Sequence, residues 1–186
     1  MTRFCKRFAD SSFENYICKT KEQKELVDYL RQSVETGFKN TIIIGGVGTG
    51  KTHLAYAIVN AMAQLKESSY TGYKYYSEDK VCYISLKNLI DEIRRGWKDG
   101  SDMASYYAER ELLIIDEVGV QYGSESERIE LYSIFNKRYE DCMPTVLISN
   151  NSLTELQKLL GQRIYDRVTS DSRIFELNGK SYRQGE

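Results

Sequence analysis

Proline and histidine are nearly missing from this sequence, with one of each in 186 residues, and tryptophan also occurs once. A single proline leaves few forced helix breaks, and with 28 % charged residues it points to a helix-rich soluble protein. The lone histidine, His53, is expected to pack or to orient a neighbour rather than to ligate a metal. No apolar run approaches the ~20 residues needed to cross a bilayer, which excludes a membrane-spanning role. The basic opening stretch, residues 1–8, lacks the apolar core and small-residue cleavage site of a secretory signal, so a cytoplasmic location is expected. Cys5, Cys18, Cys82 and Cys142 show neither CxxC nor metal-finger spacing and read as structural thiols. The formal net charge of −1 provides no global attraction to nucleic acid. Any such contact must therefore be local.

What is present describes one α/β domain. The chain is 41 % hydrophobic, enough for a real core, and 186 residues leave no room for a second full domain. Residues 1–20 read as an irregular lead-in and 21–186 as the domain proper. Leu26, Val27, Leu30 and Val34 have the spacing of an amphipathic helix over Glu22 to Val34. Short β-branched or aliphatic runs at 41–44, 81–84, 112–115 and 145–148 predict buried strands. Helical periods separate them at 51–65, 86–97 and 126–139, followed by helices at 153–160 and 162–168 and an edge strand at 173–177. Such alternation predicts a mostly parallel sheet between two helical layers. A tyrosine-rich stretch, 68–79, reads as a protruding loop or hairpin that offers aromatic faces to a partner or is a solvated insertion.

Gly45-Gly46-Val47-Gly48-Thr49-Gly50-Lys51-Thr52 matches G-x-x-x-x-G-K-[ST] between a predicted strand and a predicted helix. Glycines let backbone N–H groups curl around phosphates, and the helix N-terminus adds positive potential. Lys51 neutralises phosphate charge, Thr52 reaches Mg²⁺, and His53, next on the same helix, is counted with the nucleotide-binding residues. The strand at 112–115 ends in Asp116-Glu117, two carboxylates at the sheet edge where ligands of open α/β sheets bind. Asp116 is expected to hold Mg²⁺ and Glu117 to act as general base toward water. The expected ligand is ATP with Mg²⁺.

Further stretches resemble the AAA+ ATPase domain of the DnaC-type replicative helicase loaders. They are Ser12-Phe13-Glu14-Asn15-Tyr16, His53-Leu54-Ala55, Asp116 to Gln121, Lys158 to Arg163, Asp166-Arg167 and Ser181-Tyr182-Arg183. The resemblance implies a three-layer αβα P-loop NTPase, an AAA+ core with a five-stranded sheet and no C-terminal helical lid. It places Asn150 as a polar sensor aligning water, and Arg167 as an arginine finger reaching the γ-phosphate of the next subunit, with Arg163 and Arg173 competing for that assignment. Arg183 is either a second sensor or closes the sheet. The helix after the second strand should touch single-stranded DNA through Arg94, Arg95, Trp97 and Lys98, unless Trp97 instead anchors that helix in the core. Phe13 and Tyr16 lie where the lead-in would cover adenine. Implied partners are single-stranded DNA, further copies of the chain and a hexameric replicative helicase. Such loaders carry an N-terminal helicase-binding domain, and here residues 1–20 alone precede the AAA+ pattern. A helicase would therefore have to dock on that lead-in or on the tyrosine-rich stretch, unless a longer N-terminal part belongs to the protein. Alternatives are an IstB-like transposition helper on duplex DNA, or a nucleotide-binding adaptor or inhibitor of a replication assembly.

Overall fold

Successive residues of a strand face opposite ways, and that period builds two cores here. The computed structural model describes residues 5–68, 81–119, 124–179 and 181–182. The tyrosine-rich stretch after Ser68, together with Val120, Gln121 and Arg183, lies outside them. Among the described residues, β1 (Thr41–Gly45), β2 (Val81–Ser85), β3 (Leu112–Asp116), β4 (Thr145–Ser149) and β5 (Arg173–Leu177) form one parallel sheet. Its order is β2-β3-β4-β1-β5. Ile42, Ile44, Leu113, Ile115 and Leu147 turn to one face; Ile43, Leu112, Ile114, Val146 and Ile148 turn to the other. Both faces are buried, which is why these strands read as unbroken apolar runs.

Two helices, α1 (Lys21–Thr36) and α2 (Lys51–Ser68), cover the second face. The first is covered by α3 (Leu86–Asp99), α4 (Met103–Ala108), α5 (Glu125–Glu140), α6 (Leu153–Leu160) and α7 (Gln162–Thr169). Leu26 and Leu30 of α1 are wholly buried, each contributing about 1.5–3 kcal/mol. Reciprocal capping boxes start α1 (Thr20 with Gln23), α5 (Ser124 with Glu127) and α6 (Ser152 with Glu155). The strands and helices expected from the sequence all form. Short α4 was not expected, because six residues hold no full apolar period; Asp102 starts it by accepting the Ser105 N–H at 2.9 Å.

Because the strands are parallel, Gly45, Asp116 and Ser149 all end at one edge of the sheet. From β1 the chain crosses to β2 by way of α2 on one face, and from β4 it crosses to β5 by way of α6 and α7 on the other. Connections from the adjacent strands β1 and β4 thus leave in opposite directions. A crevice opens between them, the position at which open α/β sheets bind ligands.

Candidate functional site

At the mouth of that crevice β1 gives way to the turn Gly46–Gly50, and α2 starts at Lys51. Gly50 has φ 88°, and a Cβ there would lie 2.5 Å from the Tyr16 ring. Gly48, at φ 82°, is confined by Ser181 and accepts the Tyr182 N–H at 2.9 Å. At both positions only glycine satisfies backbone and space together. Lys51, 6 % exposed, donates from Nζ to the carbonyls of Gly45 and Gly46 at 2.7 Å each. The loop is therefore a concave turn at a helix N-terminus with an ammonium group at its centre, which is the chemistry of a phosphate site.

The neighbouring strand β3 ends on Asp116. Its Oδ2 accepts the Thr52 hydroxyl at 2.8 Å and the Tyr83 hydroxyl at 3.0 Å, and its Oδ1 accepts the Glu117 N–H at 2.7 Å. Burial, reinforced by the charge of Asp116, holds the Tyr83 phenol well above the usual tyrosine range, so it stays a proton donor. Glu117 is exposed and adopts φ 56°, a left-handed conformation costly for a residue with a side chain. It is held there by Asp116 on one side and by buried Val118 on the other, whose N–H donates to Ile148 O at 3.0 Å.

Lys51, Thr52, Asp116, Glu117 and Asn150 line one cavity of about 360 Å³, within the ~300–1,000 Å³ range of small-molecule sites. Val47, Gly48, Gly50 and His53 line it too. Its outer wall comes from the lead-in, through Arg7, Phe8, Asn15, Tyr16 and Ile17, and from Tyr182. The lead-in is strapped to α2. Asn60 Nδ2 donates to Ala9 O at 3.0 Å and Ser11 O at 2.7 Å, the His53 ring meets Ser12 O at 2.9 Å, and Tyr16 OH donates to Thr49 O at 2.9 Å. His53 thus orients the lead-in. Of the two residues expected over adenine, Tyr16 lines the cavity, whereas Phe13 is buried in the core beside α1.

The adjoining oxygens of Thr52 and Asp116 are the hard donors that Mg²⁺ accepts, so the pair fits that ion. No cluster of three metal-binding side chains occurs among the described residues. Phosphate oxygens and water would have to complete the shell.

The other expected residues lie elsewhere. On α7, Arg167 donates to Asn136 Oδ1 at 2.8 Å, Arg163 O at 2.9 Å and Tyr132 OH at 2.9 Å, with Tyr132 and Tyr139 beneath its guanidinium. It does not line the cavity of its own chain. Arg163 is exposed on α7; Arg173 begins β5, at the sheet edge remote from the loop. Trp97 is 48 % exposed, so it does not anchor α3 in the core, and its Nε1 donates to Glu130 Oε1 at 3.1 Å. Lys98 is exposed and Arg95 pairs with Glu92. Arg94 is engaged differently: it grips buried Glu127 of α5 at 2.6 Å, joining α3 to α5. Sequence reasoning missed Tyr83 and Tyr182. Strand alternation could have found Tyr83, since it places this side chain on the α2 face of the sheet.

Comparison with known proteins places this geometry. The model of the family described as IstB-like ATP binding protein matches residues 2–186. The replicative helicase loader DnaC of Escherichia coli K12 is 30 % identical over 180 residues, covering 92 % of this chain and 69 % of that protein. A crystal structure of the DnaC helicase loader superposes with a TM-score of 0.75 at 21 % identity, covering 94 % of this chain and all of that one, which shows the shared fold. The replication initiator DnaA bound to AMPPCP and single-stranded DNA gives a TM-score of 0.73 at 25 % identity, covering 91 % of this chain and 50 % of that one. Matched along nearly its whole length, with the phosphate loop and its acidic partner meeting at one cavity, the chain belongs to the family of IstB-like ATP-binding proteins.

Proposed function

We propose that this protein is an ATP-driven switch of the helicase-loader kind, which hydrolyses ATP to ADP and phosphate, binds single-stranded DNA and helps place a ring-shaped replicative helicase. The convergence of Lys51, Thr52, Asp116, Glu117 and Asn150 on one cavity carries this reading. The loop amides and Lys51 hold the β- and γ-phosphates. Thr52 and Asp116 hold Mg²⁺, which when bound neutralises charge on the phosphate oxygens. Glu117, exposed at the cavity, takes the proton of the attacking water, and Asn150 orients that water. Arg167 serves the cavity of a second copy, which makes turnover depend on assembly. Trp97 and Lys98 on α3 supply a stacking face and a cation for single-stranded DNA. Similarity to a helicase loader and to an initiator bound to single-stranded DNA supports the DNA and helicase parts of the proposal.

The decisive experiment is the ATPase rate as a function of protein concentration, with and without single-stranded DNA. A steep concentration dependence and stimulation by DNA are expected. Glu117→Gln should keep nucleotide binding and lose about 10²–10⁴ in rate, the usual contribution of a general base. Stronger stimulation by duplex than by single strands would favour a transposition helper, in keeping with the IstB-like family match. Wild-type turnover no faster than Glu117→Gln under every condition would leave a nucleotide-binding adaptor.

A further inference from the structure

β2 contributes nothing to the phosphate loop or to the acidic pair, yet it sends one polar side chain into their contact. Val81 and Tyr83 face α2, while Cys82 and Ile84 face the other core. Along that α2-facing layer the neighbouring strands carry Leu112, Ile114, Val146 and Ile148. An aliphatic side chain would suit the packing at half-buried Tyr83, and a hydroxyl that loses part of its water there is costly unless it is bonded. It donates to Asp116 Oδ2, the same oxygen that accepts the Thr52 hydroxyl, and it also meets the Tyr56 hydroxyl.

The three donors on Asp116 are not equivalent. The Glu117 N–H at Oδ1 belongs to the backbone and is fixed by the turn. The Thr52 hydroxyl can rotate, and a cation taken up between Thr52 and Asp116 would claim its oxygen lone pair. Giving up a lone pair leaves the Thr52 O–H able to donate, so its direction follows the cation, whereas Tyr83 holds Oδ2 from the neighbouring strand β2 however Thr52 turns. The phenol itself is braced: its ring packs on Tyr56 at 4.5 Å between centroids, and Tyr56 stacks on Phe8 of the lead-in at 5.4 Å. The Tyr56 hydroxyl in turn accepts the Cys5 N–H at 3.3 Å.

We infer that Tyr83 is a positioning residue for the metal-binding carboxylate: its hydroxyl, braced through Tyr56 against the lead-in, holds Asp116 in the orientation that takes Mg²⁺ beside Thr52. This inference rests on the reading of Thr52 and Asp116 as the Mg²⁺ pair. Hydrogen bonds to a ligating carboxylate commonly govern metal affinity by ~10–100-fold.

The test is binding of a fluorescent ATP analogue, titrated with MgCl₂ and repeated in EDTA. Tyr83→Phe keeps the ring packed on Tyr56 and removes the hydroxyl, with its bonds to Asp116 and Tyr56. It is expected to raise the half-saturating Mg²⁺ concentration about 10-fold, with analogue affinity in EDTA changed less than about twofold and the melting temperature nearly unchanged. Asp116→Asn, run alongside, should remove most of the Mg²⁺ enhancement. A Tyr83→Phe curve that overlays wild type while Asp116→Asn shifts would overturn the role of Tyr83 and leave the metal pair standing. Unmoved curves for both variants would overturn the metal pair as well. Should Tyr83→Phe weaken binding equally in EDTA and in MgCl₂, the residue serves packing and the inference fails.

Discussion

Asp116 and Arg138 are both charged and both almost wholly buried, at 3 % and 1 % exposure, and they sit at opposite edges of the same sheet. Asp116 ends β3 and borders a cavity. Arg138, on α5, packs where β3 and β4 begin and is enclosed by acceptors. Its Nε donates to Thr145 Oγ1 at 2.9 Å, its Nη1 to Ala108 O at 2.9 Å and Arg110 O at 2.7 Å, and its Nη2 to Pro144 O. Burial pushes its pKa down to about 9, so it still carries its charge at neutral pH. A buried charge is thus not by itself a sign of function. The difference lies in what remains available: the guanidinium fork is spent on the protein's own carbonyls, whereas Asp116 opens beside Thr52 onto space large enough for a ligand.

The contrast is broken most severely at the enclosed charge. Arg138→Met should strip partners from several buried carbonyls and lower unfolding free energy by about 3 kcal/mol in a urea titration, leaving nucleotide affinity per folded molecule unchanged. Asp116→Asn should do the reverse, changing stability by less than about 1 kcal/mol while removing Mg²⁺-dependent binding. Equal destabilisation by the two would erase the distinction.

A second effect sharpens it at the surface. Trp97 is exposed and tethered by one hydrogen bond to Glu130, so Trp97→Ala should weaken single-stranded DNA binding by about 1–3 kcal/mol at matched salt with an unchanged urea midpoint. Unchanged DNA affinity would remove α3 from the proposed contact.

The smallest effect concerns a third buried charge, Glu127, which burial pushes up but which Arg94 and Ser124 draw below the ordinary carboxylate range. A depressed carboxylate contributes stability above its unfolded value, which is lost as pH falls through the folded one. Wild type should therefore exceed Glu127→Gln in stability near neutral pH, the gap closing as pH falls below about 4.5. A gap independent of pH would show that Glu127 acts through packing and its cap alone.

Most of the fold was legible because its signals are local. Two-sided burial writes strands as aliphatic runs, and α1 shows its helical spacing in Leu26, Val27, Leu30 and Val34. Short α4 escaped because a six-residue helix is defined by what it packs on, not by period. Within the site, Gly45 to Thr52 and Asp116-Glu117 were readable as motifs, since each position answers to one demand of backbone or charge. The pairing of Arg94 was not legible: beside Trp97 and Lys98 it reads as part of a cation patch, and its partner Glu127 is 33 residues away.

By itself the sequence determined a loop of the kind that holds a triphosphate, because phosphate chemistry needs glycine, lysine and hydroxyl at consecutive positions. Only the tertiary structure decided how those groups are governed. Tyr83 meets Asp116 across two strands, the lead-in becomes a cavity wall by lying on α2, and Arg167 turns onto α5 instead of into its own chain's cavity. The physical reason is that sheet register and helix docking bring together residues far apart along the chain, and no local pattern records which of them will meet.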